Sequence, residues 1–204
     1  MNKTEARETR GAEAAAEAET AKIRPLSRRE RTENALLDAA TEVFLARGYD
    51  GATTGEIARV AGVAAGTFYL YFDDKRAAFV AVSSRAAHDI LTQMREVLEP
   101  GVDVARLVRI TLELVADYWR AHPALTRLIL SGGPALGMAD EDDGAFVDEV
   151  RQTIEDVGEL RGDEAMGLAL YLVGLSQQLG HLIVARPKAR ATAEALITLA
   201  ADRL

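Results

Sequence analysis

Helix starts and stops are crowded so closely between Ser27 and Gly62 that no single long element can occupy this stretch. Ser27-Arg28-Arg29-Glu30 has the spacing at which a serine and a following glutamate satisfy each other's free backbone amides, so a helix is expected to begin there. Leu36, Ala40, Val43 and Phe44 then recur as one apolar stripe, and Gly48 after Arg47 supplies the left-handed position that ends helices. Thr53-Thr54-Gly55-Glu56 repeats the capping spacing, Ile57, Ala58 and Ala61 follow, and Gly62 closes a helix of only about two turns. A second short helical segment is expected over 64–71. Asp73-Asp74 then offers a cap for a long helix from Lys75 to about Glu99.

Downstream, Pro100-Gly101 and His122-Pro123 are breaks, which bound a helix over 102–121 and a short segment ending at Ser131. The stretch from Ser131 to Asp143, with its glycines and the acidic run Asp140 to Asp143, shows no periodicity and is expected to be the longest loop. Further helices are expected at about 145–160, 163–185 and 191–204. The third of these carries Ala193, Leu196, Ile197, Ala200 and Leu204 on one face. Ala, Leu and Val dominate, aromatics are only 5% and no strand-like alternation is found, so the fold class expected is all-α. Residues 1–23 have almost no large apolar side chain and read as a disordered tail. Residues 24–74 read as a three-helix unit with a helix-turn-helix layout, and residues 75–204 as a larger helical body.

The net charge of −8 speaks against a nucleic-acid partner only until it is divided along the chain. Residues 1–23 hold four bases and five acids, residues 24–76 eight of each, and residues 77–204 twelve and nineteen, so the excess acid sits in the body. The local field around the helix-turn-helix decides whether phosphates can approach. With no cysteine, disulfides, thiolate metal sites and thiol nucleophiles are excluded together, and the composition is compatible with a reducing cytoplasm. Neither a phosphate-cradling loop nor the sequence signature of a serine hydrolase or zinc protease occurs, so an enzyme is not expected, and no cofactor is implied. The acidic run lacks the spacing of a calcium loop, and His88, His122 and His181 are too scattered for zinc, so no metal site is expected. The apolar run from Ala165 to Val184 is interrupted by Ser176, Gln177, Gln178 and His181 and reads as a helix buried on most sides, not a membrane span.

Ala39-Ala40 through Phe44, Gly48-Tyr49, Thr53-Thr54, Glu56-Ile57-Ala58, Ala61-Gly62-Val63, Gly66-Thr67-Phe68-Tyr69, Tyr71-Phe72 and Lys75 resemble, in order and spacing, the N-terminal signature of the TetR family of bacterial regulators. The likeness covers roughly residues 31–80. It implies an N-terminal DNA-binding domain, a C-terminal effector-binding and dimerisation domain, and a cytoplasmic, DNA-associated protein. As a partner it implies double-stranded operator DNA, bound as a homodimer. Thr54, Thr67, Tyr69, Tyr71 and Lys75 resemble family positions that hold phosphates or line the groove. Ala64 and Ala65 stand where the family commonly has a capping residue and then a polar or basic one. Two alanines can touch a thymine methyl but cannot pair with guanine. Arg24, Arg28 and Arg29 precede the first helix, where a basic arm could enter a flanking minor groove.

Lys75 carries an argument of its own. A cation in the first turn of a helix opposes the helix dipole at a cost of a few tenths of a kcal/mol, so it needs an offsetting partner, and a phosphate would be one. For the body, the resemblance implies a small-molecule pocket, with Met94, Tyr118, Trp119, Met138, Tyr171, Gln177, Gln178 and His181 as candidate lining residues. It also implies a dimer face on the last two helices, and a one-component repressor that a small-molecule effector releases from a palindromic operator. A DNA-bound scaffold that grips another protein is the alternative, and an exposed apolar patch without an internal cavity would favour it.

Overall fold

The computed structural model describes residues 25–131, 141–186 and 188–202, and side-chain positions are not described for Ser131 or for 141–145. The chain falls into two units, residues 1–35 and residues 36–204. The described part of the first opens with the expected reciprocal cap: Ser27 N donates to Glu30 Oε2 at 2.6 Å, and Glu30 N to Ser27 Oγ at 3.2 Å.

Helix α1 runs Arg28–Gly51, but Gly48 inside it has φ 71° and ψ 170°, a backbone only glycine adopts without strain. Helical geometry is thus broken at Gly48, where the stop was expected, and a short further turn carries the chain to Gly51. Short helices α2 (Thr54–Val60) and α3 (Ala65–Phe68) follow, then the long α4 (Lys75–Val97). Thr53 Oγ caps α2 by accepting from Glu56 N at 3.2 Å, and Asp74 caps α4 by accepting from Ala77 N at 2.7 Å. Ala64 makes no side-chain cap for α3.

The helix expected over 64–71 is shorter than its pattern. Beyond Phe68 the chain tightens into turns in which Leu70 N bonds Thr67 O at 3.1 Å and Tyr71 N bonds Phe68 O at 3.0 Å. This winding brings Phe68 and Phe72, both buried, to 5.5 Å between ring centroids.

The body continues with α5 (Val104–Ala121), α6 (Pro123–Ser131), α7 (Glu141–Val157), α8 (Gly162–Ala185) and α9 (Arg190–Ala201). Helix α7 begins at Glu141, so the part of the acidic run from Glu141 to Asp143 lies in a helix and not, as expected, in a loop. No strand forms among the described residues; Val102 and Gly158 make an isolated parallel bridge. Helix α8 packs on α5, α6, α7 and α9, while α4 lies against α5 and α7.

Two apolar clusters result. One joins Leu36, Val43, Phe44, Ile57, Phe68, Phe79 and Val82 of α1 to α4 with Leu128 of α6. The other fills the body from Ala86 to Ala201. Ala58, 1% exposed, lets α1 to α3 approach closely, and Phe44 and Phe79 meet edge to face at 5.5 Å.

Helix α8 corrects one expectation. By length and composition it is apolar enough to cross a membrane, yet only 28% of that apolar window is buried, so it is not enclosed on most sides. Ala165, Leu168, Ala169, Leu172 and Leu179 face the body, whereas Leu170 and Tyr171 remain 42% and 40% exposed. Its remaining exposed positions include the polar Gln178 and His181 as well as these two apolar side chains.

Substituting Gly48→Ala should lower the unfolding free energy by about 1–3 kcal/mol because the new side chain must sit at positive φ. Gly55→Ala, inside α2 with open space around the added methyl, should instead leave stability unchanged or raise it by up to about 1 kcal/mol. Urea unfolding midpoints of the two variants check the contrast.

Candidate nucleic-acid interface and internal cavity

The outer surface of α2, α3 and the following turns carries most of the residues expected to meet DNA. Ala64, Ala65 and Gly66 are exposed, and Tyr69 and Leu70 stand out at 56% and 73% exposure. Thr54 Oγ1 and Tyr69 OH lie 3.0 Å apart, so the first residue of α2 and the turn after α3 form one hydroxyl pair. Thr67 is half-buried, and Tyr71 is half-buried against the apolar cluster. Arg28 and Arg29 are exposed at the start of α1, while Arg24 lies outside the described residues. The exposure of Leu70 was not anticipated, because an apolar residue in a helical pattern is ordinarily assigned to the core.

Lys75 is placed differently from the phosphate contact expected of it. Its ammonium donates to the carbonyls of Tyr49 at 2.8 Å, Ala52 at 3.1 Å and Asp50 at 3.4 Å. It also lies 4.5 Å from the centroid of the Tyr49 ring. The offsetting partner that the helix dipole demands is thus the set of carbonyls left over where α1 ends. Tyr49 itself packs edge to face on Phe79 at 5.1 Å. Burial first, then the nearby Asp74, hold its phenol above the ordinary pKa; Arg76 opposes them, and Asp50 adds the least. The ring therefore stays neutral below the ordinary tyrosine range.

The body holds a partly open cavity of about 90 Å³ between α4, α5, α6, α7 and α8. Met94, Trp119 and Gln177, three of the residues expected at a pocket, line it. Tyr118, Tyr171, Gln178 and His181 do not. Tyr171, Gln178 and His181 recur at helical spacing along the outward face of α8, whereas Leu172, Val173, Ser176 and Gln177 turn inward. Tyr118 is half-buried with its ring 4.5 Å from that of His122, and its pKa is raised by burial and then by Asp89, against an opposing effect of Arg85. Met138 lies outside the described residues. Sequence reasoning missed Ser83, Ile90 and Ile129 in the wall, since nothing local separates a cavity-facing residue from a packed one. Among the described residues no cluster of potential metal ligands occurs.

Two helices border both the apolar cluster under the helix-turn-helix and the cavity. On α4, Val82 belongs to that cluster and the next residue, Ser83, lines the cavity. On α6, Leu128 belongs to that cluster and Ile129 lines the cavity. Arg85 of α4 adds a bond to Asp38 Oδ1 at 2.7 Å and to Thr41 Oγ1 at 3.1 Å on α1.

Residues 36–82 match the family described as "Bacterial regulatory proteins, tetR family". The chain is 34% identical over 122 residues to the HTH-type transcriptional regulator RutR of Escherichia coli K12, which is 56% of each chain. It is 33% identical over 90 residues to the HTH-type transcriptional activator FasR of Mycolicibacterium smegmatis, 44% of this chain and 41% of that one. The chain thus spans about half the length of the curated relatives it matches.

Among solved structures, a TetR transcriptional regulator from Rhodococcus sp. RHA1 superposes with a TM-score of 0.69 at 24% identity, covering 86% of this chain and 96% of that one. The transcriptional regulator FadR from Bacillus subtilis, solved in complex with stearoyl-CoA, superposes with a TM-score of 0.60 at 16% identity over 83% of this chain and 98% of that one. These likenesses establish the all-α fold, with its N-terminal helix-turn-helix and helical C-terminal part.

Replacing Lys75 by Met should cost about 1–3 kcal/mol of stability in protein alone, because backbone carbonyls are deprived of a charged donor. Thermal unfolding without DNA checks this; an unchanged midpoint would mean that the lysine does no structural work.

Proposed function

We propose that this chain is a TetR-family, one-component transcriptional repressor that binds an inverted-repeat operator as a homodimer and is released by a small molecule held in its body. The observation that carries the reading is the sharing of α4 and α6 between the two apolar clusters, with Val82 beside Ser83 and Leu128 beside Ile129. A molecule that repositions the cavity wall cannot move Ser83 or Ile129 without pressing on their neighbours in the reader's core. An effector needs this kind of linkage, because it shifts a conformational equilibrium only as far as its affinity differs between the two states.

The surface chemistry supports a phosphate rail meeting Thr54, Thr67, Tyr69 and Tyr71, with Ala64 and Ala65 against base methyl groups and Arg28 and Arg29 on flanking phosphates. Lys75 enters as the residue that positions this surface. One such reader touches little of the duplex, and pairing two of them on half-sites one helical turn apart multiplies the interface. The outward face of α8, with Leu170 and Tyr171, and the exposed Leu199 on α9 supply apolar surface for that pairing. An internal cavity favours a small-molecule effector over a protein-gripping scaffold. Such a regulator works in the cytoplasm, where the DNA is.

Selection of bound fragments from random DNA should return an inverted repeat, and a reporter with that operator across its promoter should fall silent when the protein is present. A single unpaired half-site, or higher expression with the protein, would overturn the reading. Arg28→Ala/Arg29→Ala should flatten the dependence of log affinity on log salt by about 0.9 for each phosphate that is no longer neutralised. Leu170→Arg combined with Leu199→Arg should convert the dimer to monomer by sedimentation and weaken operator binding on the order of a hundredfold or more, as expected when only one half-site is held.

A further inference from the structure

The cavity wall has an uneven polar inventory. Met94, Val115, Ile129, Phe146 and Leu172 are typical of it, and among the described residues no acid or base lines it. An ionised ligand entering here would surrender its hydration without meeting a counter-charge, so the wall selects against charge.

Its few polar groups are almost all engaged. Thr111 Oγ1 donates to Leu107 O at 2.8 Å, and Ser176 Oγ to Leu172 O at 2.7 Å, the usual back-bond of a hydroxyl within a helix. Trp119 Nε1 donates to Ser176 O at 3.3 Å, and Gln177 has an interaction of its own. Ser83 is the exception. It is 1% exposed, and its Oγ is, among the described residues, the one buried side-chain oxygen or nitrogen without a hydrogen-bond partner. A buried hydroxyl left without a partner is costly in the empty protein, and a ligand that supplies the missing bond recovers that cost.

We propose that the cavity takes an uncharged, mainly apolar small molecule with a single hydrogen-bonding oxygen, and that Ser83 recognises that oxygen. The proposal names the chemistry of the effector and rests on the reading of this cavity as the effector site. The apolar wall and the one unpaired hydroxyl together fit a molecule such as an aliphatic alcohol or ketone.

The chain's single tryptophan, Trp119, lies in the wall and reports occupancy directly. The full-length protein, without DNA, is titrated with 1-hexanol, hexanoate, hexylammonium, toluene and stearoyl-CoA while Trp119 fluorescence is followed. Hexanol and toluene should saturate the signal, and hexanoate and hexylammonium should bind at least about tenfold more weakly than hexanol. Ser83→Ala should weaken hexanol by about five- to tenfold, the loss of one hydrogen bond in a dry site, and leave toluene unchanged. The variant's unfolding midpoint should be unchanged or higher, because an unpaired hydroxyl has been removed.

Equal binding of hexanoate and hexanol, tighter binding of stearoyl-CoA than of hexanol, or no response to any probe would overturn the proposal. So would a Ser83→Ala variant that loses hexanol and toluene alike, or neither. If hexanol binds as stated but leaves operator affinity untouched, the effector reading fails while the cavity assignment stands. If only charged compounds release the operator, the assignment fails and the regulator reading survives.

Discussion

A helix that stops inside a folded protein leaves carbonyls without partners, and the helix-turn-helix part of this chain is organised around how that problem is solved at the end of α1. Gly48 turns the backbone, Tyr49, Asp50 and Ala52 present their carbonyl oxygens on one side, and the Lys75 ammonium meets all of them. The same ammonium sits near the Tyr49 ring, which is packed on Phe79, which in turn meets Phe44. One charged group therefore ties the start of α4 to the end of α1 and sets the frame in which α2 and α3 lie. The hydroxyls of Thr54 and Tyr69 and the exposed alanines at 64 and 65 inherit their positions from that frame.

Helices α4 and α6 do not end where the reader ends. Each contributes a residue to the reader's core and the adjacent residue to the cavity wall, and close-packed side chains transmit displacement instead of absorbing it. That shared border follows from helical geometry: consecutive residues point about a quarter-turn or more apart, so one helix can border two cores at the same level. The Arg85 bonds to Asp38 and Thr41 are largely solvent-exposed and add orientation more than stability.

Helix α8 shows the limit of what a single chain can bury. Its inward face completes the body and lines the cavity through Leu172, Val173, Ser176 and Gln177, while Leu170 and Tyr171 are left facing outward. These two are the large apolar side chains that α8 leaves in water, beside the polar Gln178 and His181.

Local chemistry was legible in the sequence: the caps at Ser27, Thr53 and Asp74, the break at Gly48, the helical stripes and the family likeness over the reader were all readable from neighbours within a turn or two. The demand that Lys75 find a partner was also readable, because the helix dipole is a local quantity. Which partner it found was not, since the carbonyls of Tyr49, Asp50 and Ala52 come from more than twenty positions earlier in the chain. Likewise the sequence marked Met94, Trp119 and Gln177 as possible pocket residues but offered no reason to single out Ser83, or to send Tyr171, Gln178 and His181 outward. Spacing along a helix tells which residues share a face; only the packing of helices against one another decides whether that face meets a cavity, a core or solvent.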